Sequence, residues 1–182
     1  MNITNEPLEP HSFYHIYNRG INSVNIFNEE KNYHFFLEKF SKYLDNVCDV
    51  YAYCLMPNHF HFLIRIKAED EITKKENFTS ILKNEFGLHS SSNYVSKQIG
   101  KCISSYTQAF NKYDNRHGPL LESPFKRKKI VSEEYLKRLI IYIHHNPKDL
   151  NTDFTNYKFS SYKAMVSKSK TKLQRDEIMT LF

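Results

Sequence analysis

His59 and His61 are two imidazoles separated by a single residue, in the run His59-Phe60-His61-Phe62-Leu63-Ile64. Side chains alternate along an extended strand. Both histidines therefore point to one face, about 7 Å apart along the chain, while Phe60, Phe62 and Ile64 point to the other. Two adjacent imidazoles can hold a divalent ion; the plainer reading is a half-exposed pair on an amphipathic strand. The second candidate is Tyr142 with Asn146, four residues apart and so one turn apart on a helix. A phenol one turn before an amide could place a nucleophile beside a metal ligand. The plainer reading there is a packing tyrosine followed by an Asn146-Pro147 stop. Cys48, Cys54 and Cys102 form no Cys-x-x-Cys pair and read as reduced, mostly buried thiols.

The elements that must carry these residues follow from periodicity. Residues 12–18 alternate and are aromatic, which predicts a strand ending at Arg19-Gly20. Tyr33, Phe36, Leu37, Phe40 and Leu44 predict a helix over 29–46. Residues 48–56 and 59–67 read as a hairpin around Pro57-Asn58. A helical pattern over 72–85, through Ile81 and Leu82, breaks at Gly87 and Ser90-Ser91-Ser92. A second helix spans 93–113 with Val95, Ile99, Tyr106 and Phe110 on one face, so Tyr106 reads as core. Residues 125–131 suggest a basic edge strand. Ser132 before Glu133-Glu134 is an N-cap signal for a helix running to His145. Its core stripe is Leu136, Leu139, Ile140 and Ile143; Tyr135, Arg138, Tyr142, His145 and Asn146 fall on another face. From Lys158 the Lys-rich tail reads as partly disordered. The order strand, helix, strand, strand, helices, strand, helix predicts an α+β, ferredoxin-like sandwich. It would have an antiparallel sheet, helices on one face and a C-terminal tyrosine-bearing helix. Residues 1–10 read as an extension, 11–166 as the domain and 167–182 as a basic tail.

Composition narrows the function. The 182 residues carry 26 basic and 20 acidic side chains, a formal charge of +6. Only 4 are glycine, below the usual ~7%. No Gly-rich phosphate loop is present, which argues against nucleotide binding by that route. No apolar run reaches ~18 residues, so no membrane partner is expected. The polar, acidic start Met1–Pro10 does not resemble a signal peptide, and a cytoplasmic location is expected. A basic, tyrosine-rich chain suits nucleic acid through phosphate neutralisation and base stacking, although AT-rich coding bias would also enrich Lys, Asn and Tyr.

The motifs gain weight together. Met56-Pro57-Asn58-His59-Phe60-His61-Phe62-Leu63-Ile64 resembles the His-hydrophobic-His motif of single-tyrosine HUH transposases. Tyr142-Ile143-His144-His145-Asn146-Pro147 resembles the tyrosine helix of their REP-associated branch. Tyr14 to Gly20, Gly118 to Arg127 and Tyr157 to Tyr162 resemble that branch too, so the resemblance covers roughly 11–165. Lys148-Asp149 departs from it, standing where the branch usually has an apolar residue.

The resemblance implies a ferredoxin-like enzyme that cuts and rejoins single-stranded DNA, often near hairpins, through a 5′-phosphotyrosine intermediate. Carried over residue by residue, Tyr142 is the nucleophile, His59 and His61 bind Mg²⁺ or Mn²⁺, and Asn146 fills the place of a third, amide ligand. His144 or His145 could substitute for Asn146. Imidazole ligands alone would also accept Zn²⁺, so the metal choice comes from the resemblance. Arg19, Lys126, Arg127, Lys128 and Lys129 are the expected DNA contacts; the plainer reading of that run is a solvated sheet edge. The resemblance leaves monomer and homodimer open. Two other readings stand beside it: a domesticated or non-catalytic single-strand nucleic-acid-binding protein of the same fold, and a Zn²⁺-dependent hydrolase. The hydrolase would need a carboxylate or further histidine beside the pair.

Overall fold

The computed structural model describes residues 6–75 and 90–182. Four strands, β1 (Phe13–Arg19), β2 (Cys48–Met56), β3 (His59–Ile66) and β4 (Lys126–Ile130), form one antiparallel sheet in the order β2-β3-β1-β4. The helices are α1 (Glu30–Leu44), α2 (Glu69–Lys75), α3 (Ser90–Tyr113), α4 (Glu133–His145), α5 (Tyr162–Val166) and α6 (Arg175–Met179). Since β1 and β2 both pair antiparallel with β3 between them, they run parallel and are joined through α1. This is the split arrangement of a ferredoxin-like α+β sandwich. No described helix is long and apolar enough to cross a membrane.

One face of the sheet carries the larger core. Tyr14 and Ile16 of β1 and Phe60, Phe62, Ile64 and Ile66 of β3 meet Phe36, Phe40 and Leu44 of α1, with Val95, Ile99, Cys102, Tyr106 and Phe110 of α3. Phe40 lies flat on Phe62, with ring centroids 3.9 Å apart. Tyr106 is buried here, and its hydroxyl donates to the Ile26 carbonyl, so it belongs to the core as its spacing predicts. A capping box between Glu29 and Asn32 starts α1.

The opposite face packs against α4. Leu136, Leu139, Ile140 and Ile143 cover Ala52, Cys54 and Met56 of β2 and Leu63 of β3. A β-bulge between Val50 and Ala52 makes this possible. The extra residue shifts the alternation, so Cys48 and Val50 face α1 while Ala52, Cys54 and Met56 face α4. All three thiols are buried and free, and burial pushes those of Cys54 and Cys102 up to about 12, so neither forms a thiolate at neutral pH.

Two elements differ from the sequence expectation. The tail folds back instead of trailing off: Met165 of α5 and Ile178 of α6 are buried in the second core, and Tyr51 donates to Glu177 at 2.5 Å. Isolated apolar residues spaced along a Lys-rich stretch give no periodic signal, so only the tertiary contact reveals them. Helix α3 starts at Ser90, running through the serines expected to break it. The rest of the expected 72–85 helix, with Ile81, Leu82 and Gly87, lies outside the described residues beyond Lys75.

The β2–β3 hairpin tip is anchored to the chain after β1. Ile26 and Phe27 both donate to the Pro57 carbonyl, at 2.7 and 3.0 Å, and Gly20 donates to that of Asn58 at 2.8 Å. At Gly20 an added Cβ would lie 2.1 Å from the Val24 carbonyl oxygen, so only glycine allows this close approach. Gly20→Ala is therefore expected to destabilise the fold by about 1–3 kcal/mol, read as a lower urea midpoint; an unchanged midpoint would show that the loop yields freely.

Candidate functional site

The site lies on the α4 face of β1 and β3. Register places Tyr17 opposite His61, Arg19 opposite His59 and His15 opposite Leu63. Strand alternation then turns His15, Tyr17, His59 and His61 to the same side. The two motif histidines have ring centroids 5.1 Å apart, at 84° to one another. Tyr142 comes down from α4 onto His61 and His15, with its ring 5.5 Å from His61 and 6.3 Å from His15, edge-on to both. It keeps 51% of its surface exposed, so a macromolecular substrate can reach it.

Asn146 closes the arrangement. It is buried, and its Nδ2 donates to the Tyr142 carbonyl at 2.8 Å. The same amide raises the pKa of the His59 ring and lowers that of the Tyr142 phenol, each against the effect of burial. The sequence-expected Tyr142, His59, His61 and Asn146 are thus brought together. His144 and His145 turn elsewhere: His144 Nε2 is 2.7 Å from Ser161 Oγ, and His145 packs on Phe154 at 4.3 Å between centroids. Neither can stand in for Asn146.

Hydrogen bonding fixes which ring nitrogens are free. His59 Nδ1 lies 2.6 Å from Asn58 Oδ1. An amide oxygen only accepts, so Nδ1 carries the proton and Nε2 the lone pair. His61 Nδ1 lies 2.8 Å from His15 Nε2, and one proton sits between them. When His61 supplies it, its own Nε2 also carries a lone pair. The donors on offer are then two imidazole nitrogens and the Asn146 amide. Among the described residues no group of three or more His, Cys, Asp or Glu side chains could hold a metal ion. His15 is a further histidine beside the pair, but its Nε2 is taken up by His61 Nδ1, so it adds no donor to the set.

The electrostatics keep these rings neutral. Burial, reinforced by His15, His59 and Arg19, lowers His61 to about 2. Burial and then Lys128 lower His15 to about 4. Burial also lowers His59, against the Asn146 contact. Neutral imidazoles are the metal-binding form. Burial raises Tyr142, opposed by Asn146, so the phenol holds its proton at neutral pH.

The expected DNA contacts divide by strand parity. Arg19 stands on the site face, where its charge acts on His59, His61 and Tyr142. In β4, Lys126 and Lys128 pair with Tyr17 and His15 and share their face; Lys126 is held by Glu122 at 2.8 Å. Arg127 and Lys129 point to the other face, toward Ser96 Oγ at 3.0 Å and Glu9 respectively. His15 and Tyr17 are site residues that sequence reasoning did not single out. Their signal is their shared parity with Arg19, which becomes readable only once the β1–β3 register is known.

No family model and no curated protein matches this chain. Among solved structures it is similar to a REP-associated tyrosine transposase bound to a REP hairpin. The TM-score is 0.58 and the identity 13%, over 90% of this chain and 84% of that one. That likeness shows the fold. It is also similar to a bacterial tRNA(His) guanylyltransferase-like protein in complex with GTP, at TM-score 0.40 and 12% identity over 85% of this chain and 69% of that one, too low to support an argument.

The buried neutral histidines make stability depend on pH. His15, His61 and His144 are all lowered from 6.5, the last also to about 4, chiefly by burial. Unfolded chains bind protons at these sites below pH 6.5 while the folded chain does not. Stability is therefore full above pH 6.5 and falls as pH drops toward 4, by about 2 kcal/mol per histidine at pH 5. Denaturant midpoints measured from pH 7.5 to 4.5 check this. A flat profile would contradict the burial of neutral rings.

Proposed function

We propose that this chain is a divalent-metal-dependent enzyme that cuts and rejoins single-stranded DNA through Tyr142. The observation that carries the reading is the meeting of three elements at one point. An accessible tyrosine on α4 stands edge-on to His61 of β3, whose ring neighbours that of His59, and Asn146 at the end of the same helix bonds the Tyr142 carbonyl. The fold supports it, and the similar solved structure is that of a REP-associated tyrosine transposase bound to a REP hairpin.

His59 and His61, through Nε2, and Asn146, through its amide oxygen, fit as protein ligands of Mg²⁺ or Mn²⁺, leaving other positions open. Such an ion would offset charge on the scissile phosphate and orient it for in-line attack. The protein's part is the nucleophile and its placement. The Tyr142 oxygen forms a bond to phosphorus and the bond to the 3′ oxygen breaks. The phenolic proton goes to a base, and the released strand takes up a proton as a 3′-hydroxyl. A 3′-hydroxyl attacking the phosphotyrosine reverses these steps and rejoins the strand. Bond energy is conserved in the linkage, so no nucleotide triphosphate is needed. With His61 protonated on Nδ1, His15 Nε2 accepts its hydrogen bond and so orients the ligand, an arrangement common behind metal-bound histidines.

Tyr142→Phe is expected to abolish the denaturation-resistant adduct with labelled hairpin DNA while leaving DNA binding nearly intact; a normal adduct yield would overturn the assignment. His59→Ala should remove Mn²⁺-stimulated cleavage, and undiminished stimulation would argue against the metal site. His15→Phe should weaken Mn²⁺ binding, measured by calorimetry, by roughly tenfold to a hundredfold. His15→Gln keeps an acceptor at that position and should retain most of the affinity. Equal losses in the two variants would mean that His15 matters only as packing.

A further inference from the structure

We infer that the groove between α4 and β4 seats the nucleotide that flanks the phosphate attacked by Tyr142, with its base against Tyr135 and its backbone between Lys128 and Arg138. The inference rests on the single-strand DNA reading and extends it to residues outside the reacting centre.

The groove measures about 610 Å³ and opens beside the Tyr142 ring. That is within the ~300–1,000 Å³ usual for sites that hold a ligand. One wall is the stripe Tyr135, Arg138 and Tyr142 of α4, spaced i, i+3 and i+7 and therefore on one helix face. Tyr17 and Lys128, from β1 and β4, line the other side. From Tyr142 to Tyr135 the helix rises about 10 Å, enough for a nucleotide.

The chemistry of this lining selects an anionic, aromatic ligand. Among the described residues, two cations and three tyrosines line it and no carboxylate does. The Lys128 ammonium sits 4.7 Å over the Tyr135 ring, so cation and stacking surface occur as a unit. Arg138 is paired with Glu134 at 3.3 Å, but both side chains are largely exposed. An exposed pair of this kind is worth little, so a phosphate can displace Glu134 readily. A polymer alternating phosphate and base meets this pattern, and single strands bind through that combination of cations and aromatic rings. Strand alternation splits the basic run of β4 to match: Lys128 turns to the groove, while Arg127 and Lys129 turn to the opposite face.

The test is binding of a fluorescent hairpin DNA with single-stranded flanks, measured by anisotropy across a salt series in the Tyr142→Phe background. Lys128→Ala and Arg138→Ala should each weaken binding roughly fivefold to tenfold and reduce the salt slope by about 0.7. Lys137→Ala removes the same charge from the same helix but lines no part of the groove, and should stay within twofold. Tyr135→Ala should weaken binding, and an abasic nucleotide walked along the flank should mimic that loss at one position. There the two changes together should cost no more than either alone. Equal loss from Lys137→Ala, no loss from the groove variants, additive losses at every abasic position, or preference for RNA of the same sequence would each overturn the inference. Adduct formation by the unsubstituted protein separates the two readings. An adduct without groove dependence sinks the groove alone. Groove-dependent binding without an adduct sinks the catalytic reading alone.

Discussion

The register of β1 against β3 is the constraint on which the site is built, because a slip of one residue would exchange the two faces of the sheet. His59 and His61 would then turn toward Phe36 and Phe40 of α1, and Phe60 and Phe62 toward α4. Each phenylalanine buried on the α1 face is worth several kcal/mol against truncation. The aromatic core therefore holds the imidazoles in place on the face it does not touch. The bulge in β2 completes the arrangement, bringing Cys54 and Met56 onto the face of His61 and His59, their register partners, to receive α4. The larger core and the candidate site lie on opposite sides of one sheet, and the same hydrogen-bond ladder fixes both.

Packing α4 onto that face has an electrostatic consequence. The helix buries His15 and His61 in the crevice it forms, and burial disfavours their protonated forms. Rings that would be partly charged in water become neutral donors. Their hydrogen bonds to one another and to Asn58 then decide which nitrogens are free. Burial raises the Tyr142 phenol at the same time, so the environment that keeps the imidazoles neutral also leaves the phenol protonated. On the proposed reading, a poor nucleophile would then stand beside the residues that would hold a cation. A divalent cation near the phenol would favour loss of its proton, coupling the two halves of the site.

What could be read from sequence was what repeats locally. Alternation around His59 and His61 gave the strand, its faces and the Pro57-Asn58 turn. The i, i+3, i+4 stripe through Leu136, Leu139, Ile140 and Ile143 gave α4 and left Tyr142 and Asn146 on another face. What could not be read was contact across the sheet. His15 meets His61 at a sequence separation of 46, as a diagonal neighbour in the antiparallel ladder. No local pattern sets that register. Treating residues 126–129 as one basic cluster failed to apply the alternation already used for β3, since a strand sends adjacent residues to opposite faces. The C-terminal stretch was opaque for another reason: Met165 and Ile178 are single apolar anchors, each legible only against the core that receives it.

Asn146 shows how a residue that reads as a helix stop acquires a second role. The proline after it restricts how the chain continues, and Asn146 begins a short 3-10 turn running to Leu150. Its Nδ2 satisfies the Tyr142 carbonyl, one of the orphan acceptors at the end of α4. That bond fixes the amide one turn below the tyrosine, from where it acts against the lowering of His59 by burial. A larger or apolar residue here would lose that bond to the Tyr142 carbonyl. The terminus of α4 and the placement of Tyr142 are tied by the same side chain, so the position of the tyrosine follows from how the helix ends.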